Sequence, residues 1–365
     1  MADESQPAPE RRRRPRYRGT HPRRFEEKYK ELAPERYPEM IEHVRGRGRT
    51  PAGQHVSILV DEVVRVLAPR PGERGVDATL GFGGHAERFL AALAPDGRLL
   101  GLDADPIELP KTEARLRAMG HHESRLLVRR TNFAGLVAAL HDVGWADGVD
   151  FVFADLGVSS MQIDDPARGF TFKFDGPLDM RMNPARGLSA AQWLARASVE
   201  TLKAALEENA DEPYAARLAH ALVARSNSVA GPFTTTRELA ESVREALRGH
   251  APEDRVDVSV RRVFQTLRIE VNDELRALDA LLRQVPEALR PGGRIALLTF
   301  HSGEDRRVKK TFERGVRDGI YASTCDDVVR ASPEEQRANP RSSSAKLRWA
   351  RTPGAGDSGR SSAGA

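Results

Sequence analysis

The chain has 365 residues, 39% of them hydrophobic and 30% charged, and carries a formal net charge of +4. This composition is typical of a globular protein with a sizeable core, arranged as one large or two ordinary domains. No uncharged apolar run approaches the roughly 20 residues that cross a bilayer, so we expect a cytoplasmic protein with no membrane partner. A single cysteine, Cys325, excludes an internal disulfide framework and a cysteine-based metal cluster.

Positive charge is concentrated at the start of the chain, where RRRRPRYRGTHPRR mixes arginines with proline, glycine and ring side chains. We predict a basic, largely flexible N-terminal extension over residues 1–50. Two interpretations of it remain open, a solvated run of charge and a nonspecific contact with nucleic-acid phosphates. Residues 353–365 end in GAGDSGRSSAGA and predict a second flexible tail.

Short apolar runs alternate with helical patterns between these ends. HVSILVDEVVRVLAPRPGE predicts a helix that is stopped by Pro69 and Pro71. Candidate strands follow in RGVDATLG, GRLLGLDAD, RLLVRRTNF, VDFVFADLG and GGRIALLTF. The alternation predicts an α/β fold whose mostly parallel sheet is covered by helices on both faces. Ligands of such sheets bind at the carboxyl ends of the strands, which therefore locate the site.

The interval between the fourth and fifth predicted strands is too long for one crossover helix. It holds a turn-rich stretch, MQIDDPARGFTFKFDGPLDMRMNPARG, and then several helical patterns. We predict an inserted helical subdomain over residues 161–262, between two sheet-forming segments at 51–160 and 263–352. Its many arginines either line an RNA-facing cleft or only solvate the helix surfaces.

A glycine-rich turn, DATLGFGGH, follows the first predicted strand. Gly81, Gly83 and Gly84 permit a tight turn and let a ligand approach backbone N–H groups at the start of a helix. Asp103 follows roughly 20 residues later, where a carboxylate accepts hydrogen bonds from the ribose of NAD and equally of S-adenosylmethionine. The turn alone does not choose between these cofactors and a purely structural role. His85, taken alone, is a helix-start or packing residue rather than a catalytic base.

Polar residues also end the fourth and fifth predicted strands. Asp155 closes VDFVFAD, and the hydroxyl residues Ser159 and Ser160 follow it. An acidic residue here is typical of methylases that hold an exocyclic amine against the methyl donor, although an aspartate often only caps a turn. TFHSGED ends the fifth strand, and the spacing from Ser302 to Asp305 resembles a capping box.

Several motifs together resemble one known family. LGFGGH, ADLGVSSMQIDDPARGFTFKFDGPLDMRMNP, RRVFQTLRIEVNDEL, LRPGGRIALLTFHSGEDRRVKK and SSSAKLRWA are similar to the ribosomal RNA small-subunit methyltransferase H family, from about Pro51 to Ala350. GTHPRRFEEKYKEL and TPAGQH resemble an N-terminally extended branch of it. The resemblance implies a Rossmann-like class I methyltransferase fold. It also implies that the chain uses S-adenosylmethionine to methylate N4 of a decoding-site cytidine in bacterial 16S rRNA, with the insertion recognising the RNA of the small ribosomal subunit.

The resemblance also implies a role for each matching residue. The implied cofactor contacts are Gly83, Gly84 and His85 at the methionine part, Asp103 at the ribose, Phe133 at the adenine, and Asp155 and Gln162. His301 and Ser302 are implied to hold the target base, flipped or unstacked to reach the donor. The catalytic candidates are therefore Asp155, Ser159, Ser160, His301 and Ser302, and no metal is implied.

Three positions depart from the pattern of the family. Gly303 stands where the family usually has leucine, which leaves the packing of this loop open. Pro213 in NADEPYAARLA replaces an arginine, which puts an RNA contact there in doubt. Because Pro110 lies inside what is commonly a helix, we expect that helix to begin later.

Other functions stay open at this point. An NAD-dependent oxidoreductase would share the glycine turn but leaves the insertion unexplained, and a non-catalytic ribosome-assembly protein leaves Asp155 and Gln162 unexplained. An N4-methylase of DNA or of another RNA differs only in its substrate. Methylation at C5 of cytosine needs a cysteine nucleophile, and Cys325 lies far from every predicted strand end, so N4 fits better. The oligomeric state, including a homodimer, also stays open.

Overall fold

The computed structural model describes residues 57–355 of the chain. These residues lie within one compact unit, His55–Ala365. The predicted basic extension at 1–50 and most of the predicted tail at 353–365 lie outside the described residues, so both stay predictions. None of the helices in the described part is both long and apolar enough to cross a membrane.

A seven-stranded sheet lies at the centre of this unit. Its strands are β1 (Arg74–Asp77), β2 (Arg98–Asp103), β3 (Leu126–Arg130), β4 (Val149–Asp155), β5 (Leu289–Thr299), β6 (Ser323–Thr324) and β7 (Lys346–Arg351). Their order in the sheet is β3-β2-β1-β4-β5-β7-β6, with β1 to β5 parallel and β7 antiparallel to both its neighbours. The five predicted strands and the mostly parallel, Rossmann-like α/β sheet are confirmed. The sequence analysis does not predict β6 and β7.

Both faces of the sheet are buried, as near-continuous apolar strands require. In β4, Val152 and Ala154 belong to one apolar cluster, whereas Phe151 and Phe153 belong to another on the opposite face. This alternation follows from the two-residue period of a strand. The strand order reverses between β1 and β4, so their carboxyl ends form the crevice where ligands of such sheets bind.

Within residues 57–355, four helices precede the insertion: α1 (Val60–Leu67), α2 (Gly84–Ala92), α3 (Glu108–Ala118) and α4 (Leu136–Asp142). Helix α1 is the predicted helix and ends two residues before Pro69, so this prediction is confirmed. The expectation for Pro110 is wrong, because α3 begins at Glu108 and contains the proline in its first turn. Backbone N–H groups of a first turn have no partner within the helix, so a proline costs no hydrogen bond there.

The interval after β4 folds as helices around their own apolar cluster, which runs from Phe170 to Leu267. The helices are α5 (Ser160–Asp164), α6 (Ala190–Arg196), α7 (Val199–Ala210), α8 (Ala215–Ser226), α9 (Thr236–Leu247) and α10 (Glu253–Asn272). Helix α10 continues past residue 262, where we place the end of the insertion. It therefore reaches from the cluster of the insertion back to the edge of the sheet.

Three helices follow the insertion in the part of the chain that the structure describes: α11 (Glu274–Ala288), α12 (Ser302–Arg317) and α13 (Pro333–Ala338). Leu278, Leu281 and Val285 of α11 pack in the same cluster as Val152 of β4, and Val308 of α12 joins them. Helix α12 begins directly after β5, so its first turn lies at the same edge of the sheet as the end of β4.

Candidate active site

A cavity of about 370 Å³ opens at the carboxyl ends of β1 to β5. It lies where the strand order reverses, as the fold predicts. Its volume falls within the range of roughly 300–1,000 Å³ that is typical of small-molecule sites. Of the residues predicted for the site, the ones that line this cavity are Gly83, Gly84, His85, Asp103, Phe133, Asp155, Ser159 and Gln162.

The glycine turn joins β1 to α2 at the floor of the cavity. Gly83 is the N-cap of α2 with φ 84°, and Gly81 has φ 50°, a region that other residues rarely adopt. A Cβ on Gly83 would lie 3.1 Å from Leu116 Cδ1 of α3. Glycine therefore allows this helix start to lie close to α3 while its N–H groups stay open toward the cavity.

Asp103 closes β2 beside this turn. Its Oδ2 accepts the N–H of Gly81 at 2.8 Å, and its Oδ1 accepts the N–H of Asp105 at 2.8 Å. Burial raises the pKa of Asp103 above its ordinary value, against the two N–H groups, which act to lower it. Each oxygen keeps a further lone pair, so the carboxylate can accept the two hydroxyls of a ribose.

Phe133 begins a short 3₁₀ helix, Phe133–Gly135, directly after β3. Its half-buried ring lines the cavity and packs against the core cluster of the sheet. The ring therefore offers an apolar surface on the Asp103 side of the cavity. A carboxylate for the ribose and an aromatic face for the adenine are the groups that an adenosyl cofactor needs, so these residues fit S-adenosylmethionine.

His85 lies in the first turn of α2 and is almost fully buried. Its Nε2 lies 3.0 Å from the carbonyl oxygen of Ile58, and a carbonyl only accepts, so this nitrogen carries the proton. Burial lowers the pKa of His85 to about 4, so the ring is neutral near pH 7. The other ring nitrogen, Nδ1, lies 4.0 Å from Asp155 Oδ2. The His85 ring is thus packed in the protein interior and also lines the cavity.

Asp155 stands at the end of β4, across the turn from Asp77 of β1. Its N–H donates to Thr79 Oγ1 at 2.6 Å, which fixes the backbone at this point. Burial raises the pKa of Asp155 to about 8, and the charges of Asp77 and Glu304 act in the same direction. The carboxyl group therefore exchanges its proton near neutral pH, as a group that accepts a proton in a reaction should.

Ser159 and Gln162 cap helix α5 reciprocally. The hydroxyl of Ser159 accepts the N–H of Gln162 at 3.3 Å, and Gln162 Oε1 accepts the N–H of Ser159 at 2.9 Å. Gln162 Nε2 also donates to Asp105 Oδ2 at 2.7 Å. Both ends of this amide are therefore held by the protein, and Gln162 lines the cavity as part of a fixed loop. Ser160 is the first residue of α5.

Asp105 and Arg168 form a buried ion pair that the sequence analysis does not predict. Arg168 Nη1 donates to Asp105 Oδ2 at 2.9 Å, and the two side chains are 8% and 1% exposed. Arg168 also donates through Nη2 to the carbonyl oxygens of Arg181 and Met182. The arginine of the RGF motif thus fastens the turn-rich start of the insertion to the end of β2. The second aspartate of GLDAD is the signal that could have pointed to this partner.

His301 and Ser302 follow β5 but do not line the cavity in the described part of the chain. The predicted capping pair of Ser302 and Asp305 is wrong. His301 is the N-cap of α12, and Glu304 accepts the N–H of Phe300 at 2.8 Å. Ser302 Oγ instead donates to Asp211 Oδ2 of the insertion at 2.7 Å.

Asp305, the other half of the predicted capping pair, binds the antiparallel strand β7. It accepts Arg348 Nε at 2.6 Å and Lys346 Nζ at 2.9 Å. The pKa of Asp305 lies below its ordinary value, because these two cations outweigh the effect of burial. The start of α12 is therefore tied to the insertion through Ser302 and to the sheet through Asp305.

Arg268, Glu274 and Glu304 form a second group in the wall of the cavity that the sequence analysis does not predict. Arg268 donates to both oxygens of Glu274, at 2.9 Å each. Glu274, His301 and Glu304 offer ligand atoms within 4.8 Å of one another, a spacing that suits a metal ion. The guanidinium of Arg268 already supplies a positive charge there, so we interpret the group as an ion-pair network.

The remaining departures from the family pattern lie near this network. A Cβ on Gly303 would lie 3.2 Å from the His301 ring, so a larger residue here would crowd that ring. Pro213 follows Glu212, a buried carboxylate that accepts the Ser259 hydroxyl at 3.0 Å. The turn that carries Pro213 is therefore held by the core of the insertion.

Cys325 directly follows the two-residue strand β6, which is not one of the five predicted strands. Its N–H donates to the carbonyl oxygen of Trp349 at 3.2 Å. This is the edge of the sheet remote from β1, and Cys325 is not a cavity residue among those described. The cysteine is therefore not positioned to attack a base in the cavity.

Comparison with known proteins assigns the family. The sequence model of the MraW methylase family matches residues 52–353. The chain belongs to this family. Ribosomal RNA small subunit methyltransferase H 1 of Lachnoclostridium phytofermentans is 47% identical over 345 residues, which cover 94% of this chain and 93% of the relative. Ribosomal RNA small subunit methyltransferase H of Thioalkalivibrio sulfidiphilus is 40% identical over 315 residues, 82% of this chain and 98% of the relative.

Membership of the MraW methylase family makes the chain a methyltransferase and confirms the predicted resemblance. An NAD-dependent oxidoreductase is thereby excluded. The Lachnoclostridium relative aligns with 94% of this chain, so the alignment includes part of residues 1–50, as an extended branch implies. A crystal structure of a putative rRNA-methylase from Clostridium thermocellum is similar with 13% identity and a TM-score of 0.37, and covers 81% of this chain and 98% of that one. The family assignment rests on the sequence relatives and not on this distant structural similarity.

The Asp103 carboxylate yields a prediction for cofactor binding. Asp103→Asn keeps the shape of the side chain but removes its charge and one acceptor oxygen. We expect affinity for S-adenosylmethionine to fall about 10- to 100-fold, the effect of a hydrogen bond to a charged group. Isothermal titration calorimetry measures it, with Asp96→Asn in the exposed turn before β2 as the matched control. Equal affinity in both variants would contradict the assignment of Asp103.

Proposed function

We propose that the protein transfers a methyl group from S-adenosylmethionine to N4 of a decoding-site cytidine in 16S rRNA of the small ribosomal subunit. One observation carries this proposal: Asp155, at the end of β4, lines the same cavity as Asp103 and as the glycines that follow the neighbouring strand β1. The names of the relatives support small-subunit rRNA as the substrate. We place the reaction in the cytoplasm, where small subunits assemble.

The reaction requires an acceptor beside the amine. The lone pair of a cytosine N4 amine is delocalised into the ring, so the amine is a weak nucleophile. S-adenosylmethionine supplies an electrophilic methyl group on a sulfonium. Asp155 accepts a hydrogen bond from the N4 amine, and this contact orients the lone pair of N4 toward the methyl group. Asp155 then takes up the proton that N4 loses. Proximity and orientation carry most of the rate enhancement, since no covalent step on the protein is needed.

The positions of the remaining candidates suggest different roles. Ser159 is the N-cap of α5, so its hydroxyl orders the loop after Asp155. Gln162 joins this loop to Asp105, which keeps the cofactor side and the base side of the cavity in register. His301 lies 3.2 Å from Glu304, a cavity residue, and acts on the base through this carboxylate rather than by contact.

The helical insertion is our candidate for recognition of the RNA. It is fastened to the cavity by Arg168, and Asp211 binds Ser302 beside the start of α12. RNA held by the insertion would therefore approach the cavity from the side of Asp155. The basic residues at 1–50 would add contacts to phosphates that weaken as the salt concentration rises.

Nucleoside mass spectrometry tests the proposed reaction. The protein and labelled S-adenosylmethionine are incubated with 30S subunits, or with naked 16S rRNA, from a strain that lacks this gene. We expect N4-methylcytidine from the wild type and none from Asp155→Ala, which should bind the RNA as before. If N4-methylcytidine formed in another RNA or in DNA, but not in 16S rRNA, the substrate would be that nucleic acid and not 16S rRNA. Normal turnover by Asp155→Ala would refute the role of Asp155.

The raised pKa of Asp155 predicts the pH dependence. Its carboxylate form increases as the pH rises toward about 8, so kcat/KM should rise over this range and then level off. Asp77→Asn removes a negative neighbour that raises this pKa, so the midpoint should move to lower pH. A pH–rate profile measures the midpoint for the wild type and for Asp77→Asn. The control, Asp96→Asn, should have the midpoint of the wild type. The same midpoint in Asp77→Asn and the wild type would contradict the role of Asp155 as the proton acceptor.

A further inference from the structure

The cavity extends beyond the residues assigned to the cofactor and to Asp155. Its second part is lined by Arg268, Asn272 and Glu274 at the junction of α10 and α11, and by Phe300 and Glu304 at the end of β5. The RIEVNDEL motif supplies the first three of these. Glu304 raises the pKa of Asp155, but neither the cofactor contacts nor the transfer of the proton uses the other four. This part of the cavity therefore needs another occupant.

Arg268 is held rigidly in this wall. Its Nε and Nη2 donate to Glu274 Oε1 and Oε2 at 2.9 Å each, a two-point contact that fixes the plane of the guanidinium. The side chains of Arg268 and Glu274 are 17% and 9% exposed. Asn272 holds the backbone below them, because its Nδ2 donates to the carbonyl oxygens of Arg268 and Met180.

One amino group of this guanidinium has no partner. Nη1 makes no hydrogen bond within the described part of the chain. A Cβ built on Gly157 would lie 3.9 Å from Nη1 and 3.9 Å from Phe300 Cδ2. The donor, the aromatic ring and the backbone of the loop after Asp155 therefore border the same space. A planar group in that space would contact the ring and meet Nη1 at its edge.

The chemistry of cytosine fits this arrangement. Its pairing edge offers an amine at N4 and acceptors at N3 and O2, whereas uracil offers an acceptor at position 4 and a donor at N3. A carboxylate beside N4 and a fixed donor beside N3 thus favour cytosine and oppose uracil, whereas O2 is an acceptor in both bases. An arginine does not lose its proton at physiological pH, so the donor is always available. Glu304 lines the same part of the cavity.

We propose that Arg268 recognises the target base, with its Nη1 donating a hydrogen bond to N3 of the cytosine whose N4 faces Asp155. Glu274 is a positioning residue that acts through Arg268. This inference rests on the proposed function and adds to it the residue that selects cytosine. It also gives the RIEVNDEL motif a role, because arginine, asparagine and glutamate at these spacings build the donor and its support.

A modified substrate tests the contact without altering the protein. Small subunits are reconstituted with 16S rRNA that carries 3-deazacytidine at the methylated position, so that a C–H group replaces the N3 acceptor. kcat/KM is measured on this substrate and on cytidine, for the wild type and for the double variant Arg268→Met/Glu274→Gln. The double variant removes both charges of the pair together, so no buried charge is left unpaired.

We expect the ratio of kcat/KM for cytidine to that for 3-deazacytidine to be about 10- to 100-fold larger in the wild type than in the double variant. Arg268→Lys, which cannot hold Glu274 at two points and also offer a third donor, should give the same loss. Affinity for S-adenosylmethionine should not change. Arg276→Met, which removes an exposed ion pair with Asp273 at the start of α11 and is not a cavity residue, should keep the wild-type ratio.

Two failures are distinguishable. Equal ratios in the wild type and in both Arg268 variants would overturn the reading of N3 by Arg268, while the proposed reaction would stand. An absence of N4-methylcytidine from unmodified small subunits with the wild type would instead overturn the proposed function and this inference with it.

Discussion

A buried ion pair between the end of one strand and the start of the insertion holds the site together. Asp105 accepts Gln162 and Arg168 at its Oδ2, and the N–H groups of Ile107 and Glu108 at its Oδ1. A carboxylate with 1% exposure is tolerated only when its oxygens are satisfied in this way. Removal of one partner would leave a buried charge, so the strand end, helix α5 and the insertion depend on one another.

This constraint explains why the insertion and the sheet behave as one site. Arg168 also donates to two carbonyl oxygens of the loop at 181–182, and the N–H of Met182 donates to Asn272 at the end of α10. The chain of contacts thus leads from the cofactor side of the cavity to the helix that carries Arg268. The same bonds tie the insertion to both sides of the cavity.

Carboxyl groups dominate the electrostatics at the strand ends. Burial raises the pKa values of Asp77 to about 7 and of Asp155 to about 8, and the two groups interact, so they titrate as a pair. A cationic cofactor beside them would relieve this cost and favour the carboxylate form of Asp155. Under the proposed function, the same burial would favour the binding of a sulfonium and keep the proposed proton acceptor close to neutral pH.

Much of the sheet was predictable from the sequence, because each parallel strand is a buried apolar run. Strand β7 is not such a run, since Lys346 and Arg348 alternate with apolar residues, a weaker strand signal over six residues. These two residues bind Asp305, a partner distant in sequence. The glycine turn was predictable because it follows β1, and Asp103 and Asp155 were predictable because they end β2 and β4. Arg168 and Arg268 were not, because their partners are fixed by tertiary packing and a surface arginine has the same local pattern.

The central claim is that Asp155 meets the amine of the target cytidine in the cavity that also holds the cofactor. Electron cryomicroscopy of the full chain on small subunits, with S-adenosylhomocysteine to prevent turnover, measures this directly. Our account predicts an unstacked cytidine of 16S rRNA with N4 within hydrogen-bond distance of the Asp155 carboxylate. A complex in which the cavity receives another atom or another base at Asp155 would contradict it.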